Sequence, residues 1–366
     1  MECATLQPET KSGTFRTPAT AADSDRVWPN SSPPRSSTGL RQASTSFQGP
    51  QLRHSLGQIA STAGPLIALW AAMYVSLEIT YWLTLLLALP AAAFVVRLFI
   101  IQHDCGHHSF FTSRRLNDVL GRLCSLATLT PYRHWRRQHN SHHAHWNNLG
   151  RRDRGVDIYS TCLTVAEYRA LSGTRRFFYR LLRHPVVAFV LVPPLVFLVL
   201  YRLPFDTPAA WRSERRSVHL TNLMLATTVV AVGAVVGFWQ LILVQVPITV
   251  AASIIGVWLF SVQHKFERTT WYRSELWNAD AASLQGSSYL HLPRVLQWLT
   301  GNIGLHHVHH LNPRIPNYRL GECLAALPRL QEATTLTITD ALKTCRLWLW
   351  DEQRQRMVGF DSRHPH

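Results

Sequence analysis

HLTNLMLATTVVAVGAVVGFWQLILVQVPITVAASIIGVWLFSVQ, residues 219–263, runs for 45 positions without one Asp, Glu, Lys or Arg. It divides into two apolar segments, about 219–238 and 240–262. At about 1.5 Å per residue each is long enough to cross a hydrocarbon layer of about 30 Å. A second such pair precedes it, about 57–77 and 80–102, turning around Glu78, with Arg97 near one end and expected to snorkel to the interface. The chain is therefore expected to be an all-α integral membrane protein with four transmembrane helices in two hairpins.

Composition agrees. The 366 residues are 47% hydrophobic and 16% charged, too apolar for a disordered basic chain despite a formal charge of +16. Of the 37 basic residues 34 are arginine, and between 103 and 218 lie 18 arginines against seven acids. Because these basic residues alternate with membrane segments, a nucleic-acid partner is not expected. The six cysteines are scattered without a Cys-x-x-Cys pair, so neither a disulfide framework nor a thiolate metal site is indicated.

A fifth apolar run, 185–201, holds Pro193-Pro194 and is flanked by arginine on both sides: Arg180 and Arg183 before it, Arg202, Arg212, Arg215 and Arg216 after. The proline pair breaks a helix, and the positive-inside rule puts both flanks in the cytoplasm. The run is expected to be re-entrant or interfacial, giving four spans in a multi-pass protein of a bacterial inner membrane, with both termini cytoplasmic. Residues 1–53, with 21 Ser, Thr or Pro, read as a disordered tail. No apolar core follows a basic start, so no signal peptide is expected, and Glu2, Glu9, Asp23 and Asp25 count against a transit peptide. Residues 54–330 read as the membrane domain and 331–366 as a cytoplasmic C-terminal helical segment.

Eleven of the 19 histidines fall in three clusters at the ends of these spans. They are His103-Asp104-Cys105-Gly106-His107-His108, His139-Asn140-Ser141-His142-His143 with His145 beyond, and His306-His307-Val308-His309-His310. Helical positions i, i+3 and i+4 share a face, so His103 and His107 form a pair, while His139, His142 and His143, and His306, His309 and His310, form triads. Eight imidazoles exceed what one ion can use, and two metals are implied; ligand type alone does not choose among Zn, Cu, Fe and Ni. His54, His134, His184, His219, His291, His364 and His366 have no such setting and read as ordinary surface or interface residues.

The three boxes, His-x-x-x-His and twice His-x-x-His-His, in this order between two pairs of spans, resemble those of the membrane fatty acid desaturase family. The sequence is similar to its bacterial and plastid-type Δ12 (ω-6) branch in Ser109-Phe110-Phe111 after the first box and Tyr132-Arg133-His134-Trp135-Arg136 before the second. Gly301-Asn302-Ile303-Gly304-Leu305 and Leu311-Asn312-Pro313-Arg314-Ile315-Pro316-Asn317-Tyr318 about the third carry the most specific match. The resemblance covers about 60–330. It implies a non-haem diiron centre, two Fe held by the eight box histidines and by His264, which directly follows a chargeless span. His108, His145 and His307 are then expected to hydrogen-bond around the ligands. It also implies O2 as co-substrate, a fatty acyl chain of a membrane lipid as substrate, threaded along a tunnel walled by the spans and 185–201, and a cis double bond as product.

No Glu-x-x-His occurs, which separates the chain from soluble diiron carboxylate enzymes, and no His-Pro-Gly-Gly marks a fused cytochrome b5. Electrons are therefore expected from a separate donor of ferredoxin or cytochrome b5 type, with the arginines as its docking surface. A hydroxylase or ketolase of alkane, sterol or carotenoid would carry the same boxes. A zinc or copper transporter would place its ligands inside the spans, and no box histidine falls there.

Overall fold

The computed structural model describes residues 39–152, 159 and 161–361. The chain begins with a short helix, α1 (Leu40–Ala43), followed by the first hairpin, α2 (Leu52–Leu77) and α3 (Tyr81–Gly106). Ser76 and Thr84 share a hydrogen bond of 2.7 Å across its closed end. Next come α4 (Arg114–Thr128), capped by the Ser113 hydroxyl, and α5 (Tyr132–His145). After strand β1 (Leu163–Thr164) follow α6 (Val165–Ala170), α7 (Gly173–Leu182), a π-helical turn (Val187–Leu191) and α8 (Val192–Leu198).

The second hairpin is α9 (Arg212–Val236) and α10 (Phe238–Val262). Gly237 alone joins them at φ +91°, a conformation that a side chain would strain. These four helices are long and apolar enough to cross a membrane, as the sequence predicts. The fifth run lies in the Val187–Arg202 segment, which meets α7 at 53° across residues 183–186; Pro193-Pro194 do not break it as expected, because they fall in the first turn of α8, where a missing N–H costs little.

The rest of the chain is short elements: α11 (Ala279–Gln285), β2 (Tyr289–Leu290), α12 (Arg294–Leu299), α13 (His306–Leu311), α14 (Leu320–Ala326), β3 (Thr335–Leu336), α15 (Ile338–Thr344), β4 (Leu349–Asp351) and β5 (Arg356–Val358). Strands β1, β4 and β5 form one sheet and β2 pairs with β3 in another. The C-terminal segment is thus mixed, one helix with three strands, rather than helical as expected.

Packing explains the membrane half. Leu66, Met73, Ala88, Ala91, Ala92, Val95, Val244, Ile248 and Ala252 form the core where α2, α3 and α10 meet. The alanines allow close helix approach, which is how helices associate when lipid is as apolar as their side chains. Large apolar residues such as Trp82, Leu86, Leu223 and Val235 point outward instead, Val235 at 84% exposure, as lipid contact requires.

Three expectations need correction. The expected tail is not disordered to residue 53: Leu40 and Ser44 are buried, the Ser44 hydroxyl accepts from Asn312 at 2.9 Å, and α2 begins at Leu52. Residues 1–38 lie outside the described residues. Arg97 does not snorkel. It is 5% exposed, with its guanidinium donating to the Thr62 hydroxyl at 3.1 Å and to the Trp298 carbonyl. His134 is not a surface residue but buried against Asp206 at 3.0 Å.

Candidate metal centre

Four elements deliver the histidines to one place. His103 lies in the last turn of α3 and His107 caps it, α5 carries His139, His142 and His143, His264 follows the end of α10, and α13 carries His306, His309 and His310. The ring nitrogens form two groups. His103, His107, His139, His143 and His309 make the first, with ligand atoms within 4.8 Å of one another; His142, His264 and His310 make the second. His306 joins the second through His264, Nε2 to Nε2 at 2.9 Å.

The division follows from helix geometry. Positions i and i+4 stand about 40° apart, whereas i+3 stands about 60° away on the other side. On α5 the i, i+4 pair His139 and His143 enters the first group and His142, at i+3, enters the second. On α13 the pair His306 and His310 faces the second group, and His309 at i+3 faces the first. Each His-x-x-His-His box therefore serves both groups, in opposite proportion.

The contacts are those of ligands rather than of a hydrogen-bonded network. His107, His139, His143 and His309 stand in a chain of Nε2 atoms 3.0, 3.1 and 3.0 Å apart, and His142 meets His264 and His310 at 3.0 and 3.3 Å. A neutral imidazole offers one N–H and one lone pair, so a nitrogen facing two others leaves lone pairs opposed unless a cation lies among them. His103 is the clearest case. Its Nδ1 faces the Asp104 carboxylate at 3.2 Å, while its buried Nε2 has no hydrogen-bond partner among the described residues. That is the tautomer a metal takes, with Nδ1–H held by a carboxylate and the Nε2 lone pair bare.

Burial holds the set in the ligating form. It drives the His107, His139, His143, His264, His306, His309 and His310 side chains well below the ordinary imidazole pKa, with neighbouring imidazoles adding to the effect. His142 is pushed down to about 3 by burial and then by His103. Aromatic rings close the sides: Trp135 stacks on His139 at 4.8 Å, Trp146 lies 4.1 Å from His264, and Phe260 lies 5.3 Å from His142.

The three flanking histidines turn elsewhere. His108 faces Asp118 at 3.3 Å and His145 the Ser141 carbonyl at 3.0 Å, while the buried His307 ring belongs to neither group of nitrogens. Asn317 was not foreseen as part of the site. Its backbone N–H and side-chain amide donate to Asp104 Oδ2 at 2.7 and 2.8 Å, fixing the carboxylate that orients His103. The signal was present in Asp104, the acid between two box histidines, and in the Pro316-Asn317-Tyr318 stretch.

A family model described as Fatty acid desaturase matches residues 80–340. A fatty acid desaturase of Bacillus subtilis is 42% identical over 88% of this chain and 90% of its own length. The sn-1 oleoyl-lipid 12-desaturase of Synechocystis sp. is 27% identical over 61% of this chain and 62% of that relative. The sn-1 acyl-lipid omega-3 desaturase (ferredoxin) of Nostoc sp. is 29% identical over 63% of each. The chain spans less than two thirds of these last two relatives.

Proposed function

Since this chain belongs to the fatty acid desaturase family and is an oxidoreductase of the membrane, we propose that it inserts a cis double bond of Δ12 (ω-6) type into an acyl chain of a membrane lipid. The observation that carries the reading is the convergence of nine imidazoles into two adjacent groups. Two iron ions fit this donor set, the first held by His103, His107, His139, His143 and His309, the second by His142, His264, His306 and His310. When bound, the irons supply the two-electron activation of O2 that an unactivated methylene requires.

The balance is fixed by chemistry: two adjacent CH2 groups, O2, two electrons and two protons give one CH=CH unit and two waters. The protein's part is positional. Asp104 and Asn317 hold the His103 tautomer, while Trp135, Trp146 and Phe260 exclude water beside the histidines and keep the dielectric low. Electrons come from a separate donor; ferredoxin is supported by the name of the Nostoc relative. The arginines beside the histidines, among them Arg133, Arg136 and Arg137, would meet an acidic donor, and their excess supports a centre on the cytoplasmic side.

The test is expression in a bacterium that makes only saturated and monounsaturated chains, with gas chromatography of its fatty acids. A diunsaturated acid that disappears in His142→Ala supports the reading. A new monounsaturated acid keeps desaturation but moves the double bond, and an oxygenated product assigns the chain to hydroxylation instead.

A further inference from the structure

Arg97 is a cation in the membrane-spanning helix α3, six residues, or about 9 Å along the axis, before the metal-site histidine His103. A charge at such depth is costly and marks a functional site by default. Its hydrogen bonds go to the Thr62 hydroxyl and the Trp298 carbonyl, and its guanidinium lies 3.9 Å from the Trp298 ring centre. Among the described residues no carboxylate pairs with it.

Arg97 lines a cavity of about 540 Å³ that also takes in Arg53 and Arg294, both exposed and likewise without a carboxylate partner among the described residues. No acid is among its lining residues; the remainder are amides, hydroxyls and rings such as Gln58 and Trp298. Arg53 stands in the first turn of the 26-residue α2, where the helix dipole adds to the positive field. Three guanidiniums lining one cavity without counter-charge are a receptor for an oxyanion, and phosphate is the one their fork geometry suits.

Location decides the source of that phosphate. The cavity is lined by Arg53, His54, Gly57, Gln58 and Ser61 from the first turns of α2 and by Arg97 of α3, and exposed Leu52 and Leu56 flank Arg53 on the same helix. An anion attached to acyl chains satisfies both the arginines and this apolar rim. We propose that the cavity binds the phosphate of a membrane phospholipid headgroup. Its floor is wired to the histidines: Gln58 donates to Asn317 at 3.1 Å, Asn317 donates to Asp104 at 2.8 Å, and Asp104 meets His103. The inference rests on the chain being a membrane protein and not on which bond it desaturates.

The experiment is titration calorimetry on the detergent-solubilised, metal-loaded protein with three probes: dioctanoylphosphatidylglycerol, dioctanoylglycerol and inorganic phosphate. The expected result is that only the phospholipid binds tightly, and that the Arg53→Gln, Arg294→Gln double variant weakens it by about tenfold or more, as loss of two charge-assisted contacts predicts. Iron content and elution volume show that the variant is folded. The single variants R53Q and R294Q, each expected to weaken binding in part, serve if the double variant loses its metal. Unchanged affinity in folded variants, or equal binding of dioctanoylglycerol, overturns the phosphate site. Inorganic phosphate binding as tightly as the phospholipid overturns the lipid.

Discussion

At the scale of one residue, His103 shows how a ligand is prepared before any metal arrives. Asp104 takes its Nδ1 side and Asn317 takes the other oxygen of Asp104, so the ring cannot turn its proton inward. Asp104→Asn would present an amide that can donate to Nδ1 and favour the tautomer with Nε2–H facing the group. The expected outcome is about 10- to 100-fold weaker iron retention, the usual cost of losing such a partner, measured by competition with a chelator. Wild-type retention would leave Asp104 merely structural. A second contrast separates box members that look alike in sequence: His309→Ala should lose iron from the purified protein, whereas His307→Ala, whose ring lies in neither group, should keep it. The histidines themselves were legible because i, i+3 and i+4 spacing is local. Asn317 was not, because its partner lies 213 positions away and only the folded chain brings the two together.

Among the elements, α5 must be held in register for the second box to reach both groups, and two contacts hold it. Gly121 on α4 leaves room for the buried Tyr132 ring at the start of α5, and a Cβ there would stand 2.2 Å from that ring. Gly121→Ala is expected to destabilise the protein by about 1–3 kcal/mol through overpacking, visible as a lower unfolding temperature. Lower on α5, His134 and Gln138 both bond Asp206, at 3.0 and 2.7 Å. Burial raises the Asp206 carboxyl pKa, but its bonds with His134, Gln138 and Thr207 outweigh this and hold it below 3.8. A depressed carboxylate contributes stability that is present above its unfolded value and lost as pH falls through the folded one. Asp206→Asn should therefore cost about 1–3 kcal/mol at neutral pH, with the deficit closing only below 3.8, read from unfolding midpoints across pH. A deficit that does not change with pH would remove the Asp206 charge as its cause. The long helices were legible from hydropathy alone. The strands were not, since β1 to β5 are two or three residues each, too short for any alternation to register.

For the molecule as a whole, the convergence of the histidines fixes the parity of the chain across the membrane. α3 ends at His103 and His107, and α10 leads directly into His264, so both ends lie on one side. α9 and α10 form a hairpin, so α9 begins on that side too, and Arg133 and Arg137 of α5 bond Ser217 and Glu214 near its start. Everything between 107 and 211 must leave and return on the same side, and one crossing by the bent 173–202 segment would break that rule. Its anchors agree: Tyr179, before the bend, donates to the Trp348 carbonyl at 3.2 Å, and Arg202, after it, bonds Asn222 at 3.1 Å and the Leu129 carbonyl. The bend itself falls at residues 183–186, where Pro185 opens the apolar run, and not at Pro193-Pro194, which the first turn of α8 accommodates. A cysteine introduced at position 208 should therefore react with an impermeant maleimide in the same membrane preparation as one at position 151, and remain protected where that one is protected. The 18 arginines between 103 and 218 predict which side this is, the cytoplasmic one, so labelling should need inverted vesicles. Opposite labelling of 208 and 151 would make the bent segment a fifth span and pull the second box away from the third.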